Sequence, residues 1–369
     1  MRRLRVLHID SGRKWRGGQR QVLLLAEGLA LRAHAPLILA PPDSPLLRRA
    51  HLAELAAEPV PMRADWDLRA ALAVRARIRE SGADIVHAHD ARSHAIARIS
   101  LIGRSSPPLV VTRRVPFIPK ATRLKYGSRV SRFIAVSVAV NNAMVEAGID
   151  QRRILVVHSG VESPPAGVVP RNWRSELDWP ADSVICGVVG AMTAEKGIAE
   201  LAGIAAGLGP DVRDRTRILL LGGDRTGVVD VGGVAGFSAG FVEDIIPAVA
   251  GLDVLWHPAR AEGLGTSVID AMALGVPPVA FGVGGITEVV EDDVSGVLVQ
   301  AENIAAFSEA ARRLIDDAPL RQRLAESARV RAGMFSAAAM TQQTEAVYYQ
   351  LLSGSENRSS ASIMRSHVD

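Results

Sequence analysis

Short apolar runs, each followed by a polar or glycine-bearing turn and then an amphipathic stretch, recur along most of the chain. In the first half the runs are residues 4–10, 35–40, 84–90, 109–114, 133–137 and 154–158. They are rich in Val, Ile and Leu and lack strict alternation, as expected of parallel strands covered on both faces. Residues 19–32 and 67–81 between them carry helical periodicity. This alternation predicts an open, doubly wound α/β domain with ligands at the carboxyl ends of its strands.

The pattern breaks at Ser163-Pro-Pro-Ala-Gly-Val-Val-Pro170, which has neither helix nor strand character. A second α/β series follows, with strands expected at 184–191, 217–223, 254–259, 278–282 and 296–299. The spacing therefore predicts a first domain over residues 1–163, a linker over 164–180 and a second domain over 181–335. A last helix over 336–352 is expected to pack back toward the first domain. The polar segment 353–369 is expected to be a disordered tail. At 369 residues the chain is long enough for two such cores, and two sets of strand ends suit a two-substrate reaction.

Composition narrows the setting. Apolar residues make up 48% and charged residues 22%, as in a globular protein. Cys186 is the single cysteine, so no intrachain disulfide forms and a reducing compartment is expected. There is no signal-peptide pattern and no apolar run long enough to span a bilayer. A cytoplasmic protein is expected, free or peripheral at the inner face of the membrane. Charge is uneven: residues 1–180 hold 29 Lys/Arg and 15 Asp/Glu, against 14 and 24 in the remainder. Arg113, Arg114, Lys120, Arg123, Lys125, Arg129 and Arg132 fall in one acid-free stretch. Such a stretch is either a solvated surface or a face for an anion: membrane lipid, a phosphorylated glycan or nucleic acid. Nucleic acid fits least, because interleaved aromatics are few.

The segment richest in chemistry is His257-Pro-Ala-Arg-Ala-Glu-Gly-Leu-Gly-Thr-Ser-Val-Ile-Asp270. A strand ends near Ala259, a glycine loop follows, and a helix begins near Thr266 or Ser267. Gly263 and Gly265 let backbone approach a ligand, and the free amides of a helix start favour phosphate. Glu262 and Asp270 could hold sugar hydroxyls; equally, Glu262 is a loop carboxylate and Asp270 complements the helix dipole.

Glu262-x7-Asp270 followed by Ala-Met-Ala-x-Gly-x-Pro resembles the Glu-x7-Glu motif of glycosyltransferase family 4, which has the GT-B fold. Ala191-Met-Thr-Ala-Glu-Lys-Gly197 resembles that family's Arg-x4-Lys-Gly phosphate loop, and Gly284-Gly-Ile-Thr-Glu288 its Gly-Gly-x-x-Glu segment. Residues 154–162 resemble the strand and turn that end its first domain. Gly17-Gly18-Gln19 resembles the glycine loop that faces the acceptor. The resemblance implies two Rossmann-like domains facing a central cleft and a retaining, metal-independent transfer from a nucleotide diphosphate sugar. Glu262 would meet the donor sugar and Asp270 the ribose diol. Lys196, with the backbone of Gly263, Leu264, Gly265, Thr266 and Ser267, would neutralise the diphosphate. Gly222 and Val242 would lie beside the base. His89 would reach the donor sugar from the acceptor side, where Gly17, Gly18, Gln19, Arg113 and Arg114 are placed. No side chain stands out as a covalent nucleophile, so front-face attack is expected. The expected partners are a nucleotide-sugar donor, an anionic glycan or lipid-linked acceptor, and anionic membrane, with no metal, cofactor or nucleic acid. Roles in lipopolysaccharide or other envelope polysaccharide synthesis are common in the family. Ala191, Asp270 and Gln19 depart from its usual Arg, Glu and acidic residue.

Other readings stand beside this one. His87, His89 and Asp90 could bind a metal, or His89 could be a satisfied core histidine. Asp65-Trp-Asp67 matches a metal-binding Asp-x-Asp, but Asp67 also reads as the N-cap of the helix after it. A nucleotide-sugar epimerase or a non-catalytic glycan-binding relative would share the architecture. A nicotinamide oxidoreductase would need a compact Gly-x-Gly-x-x-Gly after the first strand, which residues 11–20 lack.

Overall fold

The computed structural model describes residues 2–103, 107–117 and 127–365, with side chains as far as Ser353. The chain divides into two compact units, Met1–Gly160 with Ala337–Asp369, and Val161–Ser336.

The first unit holds a seven-stranded sheet in the order β3-β2-β1-β4-β5-β6-β7. Its strands are β1 (Arg5–Ile9), β2 (Ala35–Ala40), β3 (Ala56–Pro59), β4 (Ile85–Ala88), β5 (Leu109–Arg113), β6 (Arg132–Ala135) and β7 (Ile154–Val156). Every neighbouring pair is parallel. Pattern reading misses β3 because Ala-Ala-Glu-Pro is short, weakly apolar and ends in proline, which an edge strand tolerates. The helix Gly17–Leu31 lays Leu24, Leu25 and Leu29 on this sheet. Met340, Val347 and Tyr348 of the helix Ala337–Arg365 join the same core. That helix carries helical backbone as far as Arg365, into the stretch expected to be disordered. No proline interrupts 337–365, and Gly354 alone does not end the helix.

The second sheet runs β10-β11-β9-β8-β12-β13-β14. Its strands are β8 (Val184–Val189), β9 (Thr216–Leu221), β10 (Thr226–Val231), β11 (Val234–Gly240), β12 (Val254–His257), β13 (Pro278–Phe281) and β14 (Val297–Val299). All pairs are parallel except β10 with β11, a hairpin that sequence reading left out. Trp256, Phe281 and Phe307 meet edge to face in its core beside Cys186. Burial pushes the Cys186 thiol well above its ordinary range, so it is packing rather than chemistry. The segment 164–180 is more than a linker. Its Trp173 is buried in the second unit and donates its indole N–H to the Ala248 carbonyl at 2.9 Å.

Candidate active site

In an open α/β sheet a ligand sits where the strand order reverses. In the second sheet that point lies between β8 and β12. Lys196 ends the turn Ala194–Lys196 after β8, and Glu262 lies on the loop after β12. The two side chains form an ion pair. The loops are held together by backbone: Arg260 N donates to the Glu195 carbonyl at 3.0 Å. Gly197 has φ +75° and packs where a Cβ would strike the Pro258 carbonyl.

Glu262 is fixed from several sides. Its Oε1 accepts from Gly263 N at 3.0 Å, and His257 Nε2 lies 3.3 Å from Oε2. Gly285 N donates to its carbonyl at 3.2 Å. Burial would raise its carboxyl, but His257 and the Lys196 charge prevail and hold it at about 2. The group is an anion at any physiological pH. His257 is pushed the other way, chiefly by burial, and is neutral.

Gly263, Leu264 and Gly265 are buried behind this pair. Gly265 is the N-cap of the helix Thr266–Ala273 and supplies no side-chain cap, so Thr266 and Ser267 stand at an open, positive helix end. Asp270 is half-buried one turn further on. Gly222 and Val242 follow the neighbouring strands β9 and β11, and Gly222 N donates to the Gly240 carbonyl at 2.7 Å. Ala191 leaves no cation at its position, and Arg260 is bound to Glu200, so Lys196 is the ammonium on these loops.

The first sheet reverses between β1 and β4, and a second polar cluster gathers there. His89 does not project from it as sequence reading expects. It is buried, with Nε2 2.9 Å from His8 Nδ1, while Arg114 donates to its carbonyl at 2.7 Å and to its Nδ1 at 3.2 Å. His87 is buried between Tyr348 Oη at 2.6 Å and Thr112 Oγ1 at 2.7 Å. Its ring lies 4.0 Å from that of His89. Burial drives all three histidines well down, His8 to about 3, and nearby positive charge adds to it.

Asp10 Oδ1 accepts from Gln19 Nε2 at 2.9 Å and Gly12 N at 2.8 Å, so Gln19 turns inward. Burial raises the Asp10 carboxyl, and the Asp90 charge adds to this. Asp90 caps the helix Ala91–Ser100 and accepts from Ser11 N at 2.6 Å and Oγ at 2.7 Å. Gly17 and Gly18 open the helix Gly17–Leu31, again without a side-chain cap.

Several expectations change here. His8, His87 and His89 bring ligand atoms within 4.8 Å of one another, but the contact between His8 and His89 is a hydrogen bond and a guanidinium stands beside it. Asp90 has its oxygens occupied as helix cap and loop anchor. Asp67 caps its helix as its N-cap reading expects, accepting from Ala70 N at 3.0 Å and Arg63 N at 3.1 Å. In the basic stretch, Arg113, Arg114, Arg129 and Arg132 each hold a backbone carbonyl rather than standing free. Lys120, Arg123 and Lys125 lie outside the described residues. Sequence reading missed His8, Asp10 and His257; its available signal was a polar residue interrupting an apolar strand run.

Residues 15–163 match the family described as Glycosyltransferase Family 4, and residues 170–331 match glycosyl transferases group 1. The 2-deoxystreptamine glucosyltransferase of Streptomyces kanamyceticus is 33% identical over 185 residues, 47% of this chain and 48% of that protein. The D-inositol 3-phosphate glycosyltransferase of Salinispora arenicola is 29% identical over 69% of this chain and 61% of its own length. The matches thus span about half the length of the curated relatives, which are glycosyltransferases, not epimerases. Among solved structures, Anabaena HepE in complex with UDP-glucose aligns over 95% of this chain and all of that one, with TM-score 0.79 and 21% identity. WaaG, a glycosyltransferase involved in lipopolysaccharide biosynthesis, aligns over 93% and 99%, with TM-score 0.69 and 17% identity. Both share the fold.

Proposed function

This chain belongs to glycosyltransferase family 4, and we propose that it moves a sugar from a nucleoside diphosphate donor to a glycan or lipid-linked acceptor, with retention and without a metal. The observation that carries this reading is the Lys196–Glu262 pair at the second switch point, set against the open start of the helix Thr266–Ala273. A diphosphate there meets Lys196 and the helix amides, which together supply the positive field that leaving-group departure needs. Lys196 then exchanges Glu262 for phosphate, and the freed carboxylate accepts from sugar hydroxyls. In this reading Asp270, one turn into the helix, takes the ribose diol. Retention follows from front-face attack assisted by the departing phosphate, and NMR of the first product reports it directly; an inverted anomer refutes it. The net positive charge of residues 1–180 supports an anionic acceptor, which in this reading is an envelope-type glycan.

The test is thermal stabilisation by UDP, GDP, ADP and CMP, with and without EDTA, on the wild type and Lys196→Ala. One diphosphate should raise the melting temperature regardless of EDTA, and Lys196→Ala should weaken the shift. Turnover in the variant should fall by roughly 10²–10³. Loss of the shift in EDTA overturns metal independence; no shift with any nucleotide overturns the donor site.

A further inference from the structure

We propose that Arg114 is a positioning residue: its guanidinium fixes the tautomer and tilt of His89 and, through it, of His8, and so sets the strand ends that carry Asp10 and Asp90. The inference rests on the reading that the first unit serves the acceptor in a family 4 transfer.

The hydrogen bonds leave one consistent proton arrangement. A guanidinium has donors and no acceptor, so His89 Nδ1 at 3.2 Å from Arg114 must offer its lone pair. The proton of a neutral His89 is then on Nε2, which donates to His8 Nδ1 at 2.9 Å. His8 in turn carries its proton on Nε2, an atom that finds no partner among the described residues. The reverse order would leave His89 with no proton on either nitrogen. A second bond, from Arg114 to the His89 carbonyl at 2.7 Å, clamps ring and backbone of one residue to one planar group. Burial works against the Arg114 charge, and Asp10 and Asp90 offset part of that, while His87 keeps its own partners, Tyr348 and Thr112. Arg113, next in sequence, reaches the Phe117 carbonyl instead and has no part in the stack. His8 lies near the end of β1 and Asp10 follows it, while His89 and Asp90 follow β4, at the point where the sheet order reverses. Setting these rings therefore sets that end of the sheet.

The experiment is long-range 1H–15N NMR of histidine-labelled protein at pH 7.5, on wild type, Arg114→Met and Arg114→Lys. Wild type should show His89 and His8 each as a single Nε2–H tautomer. Arg114→Met should show mixed tautomers at both rings. Arg114→Lys keeps the charge without the fork and should also lose the single pattern, so it carries the test if the Met variant does not fold. A Met or Lys variant with the wild-type pattern, or a wild-type ring protonated on Nδ1, overturns the proposal. The functional arm follows UDP release from UDP-glucose alongside UDP affinity by calorimetry. Arg114→Met should lower turnover roughly tenfold, within the cost of sub-ångström misplacement, and leave UDP affinity unchanged. Unchanged turnover, or an equal loss of UDP affinity, overturns it. If wild type neither binds UDP nor releases it, the functional reading fails for this donor, and the NMR arm still decides the Arg114 geometry.

Discussion

His8, His87 and His89 occupy an interior that admits them only as neutral rings, and this gives stability a pH dependence of definite sign. Their folded pKa values lie below the unfolded value of 6.5, so as pH falls the unfolded chain takes up protons first. The stabilisation is complete above about pH 6.5 and declines below it, by about 1.4 kcal/mol per pH unit for each ring kept neutral. Asp10 is raised and opposes this at the acid end. Glu262 is lowered to about 2, so its contribution is present above its unfolded 4.5 and lost between 4.5 and 2, below the pH 7 to 5 range in which the histidines are read. The urea midpoint should therefore drop between pH 7 and pH 5; a flat profile would contradict neutral burial. Tyr348→Phe removes one partner of His87 and should cost about 1–3 kcal/mol in denaturant titration, by leaving a buried ring nitrogen unpaired. At this scale Glu262, Lys196 and Asp67 were legible, because glycine loops and helix starts are written locally. The inward turn of His89 was not, because its partners His8 and Arg114 are 81 and 25 residues away.

Between residues and the whole chain, the loops after β8, β12 and β13 behave as one stacked element. Gly284, at φ +53°, packs where a Cβ would strike the Glu262 carbonyl, just as Gly197 packs against that of Pro258. Gly284→Ala should displace Glu262 and abolish nucleotide-dependent stabilisation, with a loss of about 1–3 kcal/mol in chemical denaturation from backbone strain. Wild-type stability and binding in that variant would show that the contact is soft. Most helices and central strands were readable from periodicity alone, since a doubly covered parallel strand must be apolar throughout. The β10–β11 hairpin carried its own signal, Val231-Gly-Gly-Val234 after the run Val228-Val-Asp-Val231, with φ of +61° and +83° at the two glycines. It escapes a reading tuned to strand–helix alternation because it breaks that rhythm.

For the molecule as a whole, the division into units makes unequal demands on the chain. Val161–Ser336 is continuous, whereas the other unit needs segments from both sides of it. A fragment of residues 161–336 should melt cooperatively by itself. A chain ending at residue 336 should lose the cooperative transition of the first unit and expose apolar surface to a hydrophobic dye, because Met340, Val347 and Tyr348 belong to that core. Retention of both transitions would make the last helix dispensable. Sequence pattern located this helix but placed the domain boundary and linker a few residues late, since nothing local marks Trp173 as an anchor of the second unit.

The interrupted first unit has a consequence for synthesis. The strands of residues 5–156 leave the ribosome early, but the helix that covers their core follows only after all of Val161–Ser336 has been made. At roughly 5–20 residues per second that delay is on the order of ten seconds or more. Throughout it the nascent sheet presents bare Leu and Val side chains. Yield in the cell should therefore respond to elongation speed and to holding chaperones more than equilibrium stability alone would suggest.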